Sequence, residues 1–169
     1  MTTLTQPLRD EHKELFPHIE ALKFAGMAIH GKLDQNAIDL IDQSHEFLTG
    51  HLLPHARAEE LVLYPAVQKA MGSPRATATM SRDHVEVEAL TEELAALRNQ
   101  VTGADIGVTL ANELKRVLYG LYTLVKVHFD KEEEIYLPLL DESLTAGEAE
   151  ELFKRMEVAA GEAKAHLPI

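Results

Sequence analysis

The sequence predicts an all-α protein, four long helices in an up-down-up-down bundle with a short fifth helix at the C-terminal end. Three observations carry this. Ala, Leu, Glu and Val dominate, a mixture that favours helices. Apolar residues recur at spacings of three, four and seven, the period of one helix face. Three short breaks, HGKLDQN, MGSPR and VTGAD, separate the periodic stretches, and short connections make neighbouring helices antiparallel.

The first helix is expected from about Gln6 to Ile29, with Leu8, Leu15, Ile19 and Leu22 on its inner face. Asp34 is placed to cap the second, which runs from about Gln35 to Ala70. Gly72 suits the end of that helix, Ser73 a cap and Pro74 a first-turn position. The third helix runs to about Val101, and the fourth from about Asp105 to Leu140. Thr145 and Glu148 have the spacing of a capping box for a fifth helix ending near Gly161. The reading is one domain over residues 1–169, its bundle spanning about 5–140. Pro17, Pro54 and Pro65 fall inside these helices and Pro138 near the end of one. Each removes a backbone hydrogen bond and should bend its helix.

Composition narrows the function. A net charge of -12 speaks against nucleic acid or an anionic membrane as partner. The lack of cysteine removes disulfides and thiolate metal sites. No apolar run approaches the ~20 residues of a membrane span. The opening MTTLTQPLRDEHKEL has no long apolar stretch of a secretory leader, so the cytoplasm is the expected location.

One phrase is written twice. HARAEELVLYP starts at His55 and HFDKEEEIYLP at His128, each reading His, three residues, Glu-Glu, four residues, Pro. Upstream, RDEHKEL carries His12 and SRDHVEV carries His84, 43 and 44 residues before the respective partners. The chain therefore reads as two similar helical hairpins, related by approximate two-fold symmetry when packed face to face.

Residues four apart share a helix face. His55 and Glu59 lie on one face with Leu48, Leu52, Val62 and Ala66, and His128 and Glu132 with Leu121, Val125, Ile135 and Leu139. A buried ionised carboxylate is costly unless it is paired or binds a metal. Nitrogen and oxygen donors together suit Fe, Mn or Zn. Four histidines and two carboxylates able to bridge make the inventory for two metal ions close together. The plain alternative is a metal-free bundle with histidines satisfied in its core.

These residues, His12, His55-x3-Glu59, His84 and His128-x3-Glu132, resemble the hemerythrin-like family, also called HHE cation-binding domains. The EELVLYP and EEEIYLP tails are similar as well, and the resemblance spans about residues 5–140. It implies a four-helix bundle with a non-haem di-iron centre, oxo- or hydroxo-bridged. His12, His55, His84 and His128 would be terminal ligands, and Glu59 and Glu132 would bridge. Oxygen-carrying members have a second histidine where this chain has Glu88, and an aspartate five residues after the histidine of the fourth helix, where this chain has Glu132 at four. A more oxygen-rich ligand set favours the ferric state. It turns the expectation from reversible O2 carriage to binding or reduction of O2, peroxide or NO. As an enzyme the chain would consume peroxide or NO; the alternative is a non-enzymatic module that senses or stores iron or oxygen through a protein partner, whose identity the sequence leaves open.

Other residues are read as follows. His51 shares the His55 face and is a further ligand, a group that orients one, or a bundle-edge residue. Glu88 completes a third His-x3-Glu but lies off the stripe of Val87, Leu90, Leu94 and Leu97, so it reads as solvated. Tyr64 and Tyr136 stand one or two turns beyond the carboxylates, as hydrogen-bond or radical donors or as cover for a bundle end. Glu60, Glu133 and Glu134 read as solvated charge. His18 lies off the His12 face, and His30, His45 and His166 read as loop, outer-face and tail residues.

Overall fold

In the computed structural model, residues 3–30 and 32–165 are described, and His166 lies outside them. Five helices follow in order: α1, Gln6–Ala28; α2, residues 35–71; α3, Ala78–Arg98; α4, residues 107–143; and α5, Ala146–Ala165. No strand occurs among the described residues. Helix α4 packs against α1 and α3, α1 also packs on α2, and α5 lies against the middle of α2.

The local signals explain most ends. Asp34 accepts from the Ala37 N–H at 2.8 Å and caps α2. Gly72 ends that helix at φ +63°, a left-handed conformation that costs a glycine nothing. Thr145 and Glu148 bond each other's backbone N–H, the reciprocal box that starts α5. The start of α3 corrects the sequence reading. Turns continue through residues 74–77 and the helix begins at Ala78, with neither Ser73 nor Pro74 in its first turn.

Buried side chains fall into two clusters. One gathers Ile19, Leu22, Leu48, Leu94, Leu114 and Leu118, and the other Leu8, Leu63, Val67, Leu137, Leu140 and Leu152. Each such side chain contributes about 1.5–3 kcal/mol when fully buried. Met156 and Ala159 of α5 complete the second cluster. Between the two lies a layer of buried polar groups: His12, His55, Glu59, His128 and Glu132.

Three of the four internal prolines, Pro54, Pro65 and Pro138, each follow a wide turn. Residues Leu48–Leu52, Glu59–Leu63 and Glu132–Tyr136 are π turns, closed by N–H groups of Leu53, Tyr64 and Leu137 bonding five residues back, to the carbonyls of Leu48, Glu59 and Glu132. Each turn starts six residues before a proline: Pro54, Pro65 and Pro138. A proline lacks the N–H for the carbonyl four residues back and clashes with it. In all three cases that carbonyl lies inside the widened turn, where the helix has room for it. Val127 stands where the first hairpin has Pro54, and α4 stays regularly α-helical there. Helix α1, by contrast, passes Pro17 without a wide turn.

A π turn holds one residue more than an α turn and so changes the face that follows. Ile135, expected on the core face with His128, is exposed. Tyr136, Leu137 and Leu140 are buried in its stead. On α2, Leu63, Tyr64 and Val67 are deeply buried, while Ala66 is only half-buried.

Candidate metal centre

Four helices contribute to the polar layer. His12 comes from α1, His55 and Glu59 from α2, His84 from α3, and His128 and Glu132 from α4. All four imidazoles turn Nε2 inward. Glu59 stands between them: its Oε1 is 2.9 Å from His55 Nε2 and 3.9 Å from His12 Nε2, and its Oε2 is 3.2 Å from His84 Nε2 and 4.0 Å from His128 Nε2. Glu132 divides the same way, Oε2 lying 3.5 Å from His12 Nε2 and Oε1 3.5 Å from His128 Nε2. Two groups of donors result, His12, His55, Glu59 and Glu132 in one, and Glu59, His84 and His128 in the other. Within each, the donor atoms all lie within 4.8 Å of one another.

The outer nitrogens follow a second pattern. Each Nδ1 faces a carboxylate: His12 meets Glu133 at 2.8 Å, His55 meets Glu11 at 3.0 Å, His84 meets Glu60 at 2.9 Å and His128 meets Asp83 at 3.1 Å. An ionised carboxylate only accepts, so Nδ1 carries the proton and Nε2 presents a lone pair inward. The pattern obeys the hairpin symmetry. The acid immediately before each lone histidine, Glu11 or Asp83, holds the other histidine of its own hairpin. The second Glu of each doublet, Glu60 or Glu133, holds the lone histidine of the opposite hairpin. Reading Glu60 and Glu133 as solvated charge is therefore corrected; Glu134 is exposed as expected. The signal was in the sequence, an acid before each lone histidine and a doubled Glu in each repeated phrase.

These outer carboxylates are themselves held. Arg9 pairs with Glu133 and reaches Asp141, which accepts from the Thr5 backbone N–H at 2.8 Å. Lys131 pairs with Asp83, and Ser81 donates to Glu60 at 3.0 Å. Phe129 stacks on His12 at 4.2 Å and fixes its plane.

The inner atoms test whether a cation fits. His12 Nε2, His55 Nε2, both oxygens of Glu59 and Oε2 of Glu132 are buried without a hydrogen-bond partner. Lone pairs converging from imidazoles and carboxylates repel unless positive charge sits among them. Protons or metal ions meet that need. Without metal, His12, His55 and His128 bind protons more tightly than usual. Burial opposes this, but carboxylates outweigh it: Glu133 and Glu59 for His12, Glu59 and Glu11 for His55, and Glu132 and Glu59 for His128, which rises to about 10. Glu59 is held well below the usual carboxylate range, its burial outweighed by His55 and the other imidazoles.

Tyr64 joins the layer, a consequence of the wide turn that begins at Glu59. Its hydroxyl donates to Glu132 Oε1 at 3.0 Å and lies 3.3 Å from Nε2 of both His84 and His128. Burial beside Glu59 and Glu132 raises its pKa far above the ordinary phenol range, so it stays a neutral donor. Tyr64→Phe should cost about 1–3 kcal/mol, because a buried carboxylate oxygen loses its donor. Thermal unfolding checks this, and an unchanged melting temperature would contradict the bond. Tyr136 is not part of the layer. Its hydroxyl donates to the Ala76 carbonyl at 2.8 Å and ties α4 to the turn before α3.

The remaining candidates stay outside. His51 is exposed, and Phe47 lies between it and His18, both rings stacking on Phe47. Glu88 is exposed on α3, as its place off the stripe indicates.

A helical bundle with a buried His/Glu layer able to hold cations defines a class of bundle metal-binding proteins. The family model of the hemerythrin HHE cation-binding domain matches residues 3–140, and the chain belongs to that family. Helix α5 lies beyond the matched span. Comparison with curated proteins and with solved structures gives no match. No helix among the described residues is long and apolar enough to cross a membrane.

Proposed function

We propose that this chain holds two iron ions in the donor layer and uses them to bind or reduce a small oxidant, O2, peroxide or NO. The observation that carries the reading is the division of each inner carboxylate. One oxygen of Glu59 faces His55 and the other faces His84, and Glu132 is split between His12 and His128 in the same manner. Carboxylates so placed suit bridging. Membership of the hemerythrin family favours iron, and Mn or Zn suits the same donor types. Iron would supply the redox change and the Lewis acidity when bound.

The chain's own residues supply the rest. His12, His55, His84 and His128 are oriented by four carboxylates, so their inward lone pairs are preorganised. Leu52, Val87, Val125 and Phe129 give the donor cluster an apolar wall on one side. Tyr64 donates its one O–H to Glu132, so it holds that carboxylate in place while staying neutral 3.3 Å from Nε2 of His84 and His128.

The test is metal content after growth on iron, followed by rapid mixing of reduced protein with O2, peroxide or NO. Two irons per chain and many turnovers of peroxide or NO support an oxidant-reducing enzyme. A persistent one-to-one adduct assigns binding without turnover. Protein purified without chelators that carries no stoichiometric metal overturns the reading.

A further inference from the structure

The flank of α1 beside α4 carries a stripe that the donor layer does not use: exposed Phe16 and Met27 with half-buried Glu20 and Lys23 between them, spaced by four, three and four. That spacing is the seam of a helix pair. Phe16 is 38% and Met27 54% exposed. The stripe lies beside α4. Gly26 of α1 sits against the Tyr119 ring, and Lys23 lies 4.9 Å from the centre of the Tyr122 ring. Phe24, 52% exposed, extends the apolar area on the other flank.

The order along the stripe is apolar, acid, base, apolar. Turned end for end, it meets itself in complementary form. An identical α1 laid antiparallel across it brings Phe16 of one copy to Met27 of the other, and Glu20 to Lys23. Each contact occurs twice, as a two-fold interface requires. Glu20 and Lys23 pair with each other within the chain, so the stripe is locally neutral on a protein of net charge -12. A second copy is thus met by groups of opposite sign.

We infer that the chain forms a two-fold dimer through an antiparallel α1–α1 contact on this stripe. The inference is independent of metal in the donor layer. Sedimentation equilibrium at up to hundreds of micromolar protein is the test. The chain should sediment as twice its 18.8 kDa. Glu20→Lys alone and Lys23→Glu alone each set like charges face to face twice, and each should weaken the dimer about ten-fold or more. The double exchange, Glu20→Lys with Lys23→Glu, restores opposite charges at every contact and should recover the dimer to within about three-fold of the original. Met27→Glu should also weaken it. All these positions are on the surface, and an unchanged circular dichroism spectrum verifies the fold. A monomer throughout the concentration range overturns the inference. So does a dimer that ignores the single exchanges, or one that the double exchange fails to restore.

Discussion

On the proposed two-ion reading, replacing Glu59 by alanine should strip the chain of both ions at once. Glu59 belongs to both donor groups, with one oxygen on each side. His55 belongs to one group only, so His55→Ala should weaken one position before the other. Metal analysis of the two variants beside the parent makes the comparison. The stability of the loaded protein should fall with the metal, because an ion that binds only the folded chain adds about 4 kcal/mol at a thousand times its dissociation constant. For a domain of this size that is about 10 °C in melting temperature. Metal-free protein should lose much less. A Glu59→Ala variant that keeps two ions per chain would remove Glu59 from the ligand set and the bridging argument with it.

The second large effect is a reversal of pH dependence on metal loading. In metal-free protein, His12, His55 and His128 have raised pKa values, His128 at about 10. A raised histidine stabilises the fold fully below its unfolded value near 6.5. The benefit is lost as pH climbs through the folded value, at up to about 1.4 kcal/mol per pH unit for each group. Glu59 is lowered, so its contribution is present above its unfolded value near 4.5 and is lost as pH falls through the folded one. Metal-free protein should therefore be most stable between about pH 4.5 and 6.5 and melt several degrees lower at pH 9. Loaded protein should do the opposite. Metal takes the Nε2 lone pairs that protons otherwise occupy, so binding releases protons and strengthens with pH. Calorimetric melting of both forms from pH 5 to 9 tests the crossing slopes. Parallel curves would mean the inner nitrogens do not bind metal.

What the sequence revealed, and what it hid, follows from the range of each interaction. The helices, the Asp34 cap and the Thr145–Glu148 box are local, set by residues within a turn of each other. The inner His/Glu set was legible because it repeats: two matching phrases and two lone histidines single out the six residues that the fold brings together. The outer carboxylates were harder. Glu60 and Glu133 are adjacent to inner residues and so point elsewhere on their own helices; only packing reveals that each points toward the opposite hairpin's histidine. Ile135 was misplaced for a different reason. Counting at 100° per residue assumes a uniform helix, and the wide turn at Glu132–Tyr136 breaks that count. The proline that accompanies the widening was visible, but nothing in the sequence says whether it bends a helix or broadens it. Pro17, which α1 passes without a wide turn, shows that a proline does not by itself broaden its helix.

The wide turns also say something about ancestry. Each is an α turn with one residue inserted, begun by an inner carboxylate and followed by a proline at the same step in both hairpins. In a chain built by doubling a hairpin, an insertion shared by both halves is older than the doubling. The turn at Leu48–Leu52 has no counterpart in the second half. The two shared turns are also the places in α2 and α4 where loss of a single residue would leave the helix beyond in register. Length variants among relatives should collect at the wide turns, whereas a deletion in a regular α-helical part of either helix would swing one whole core outward.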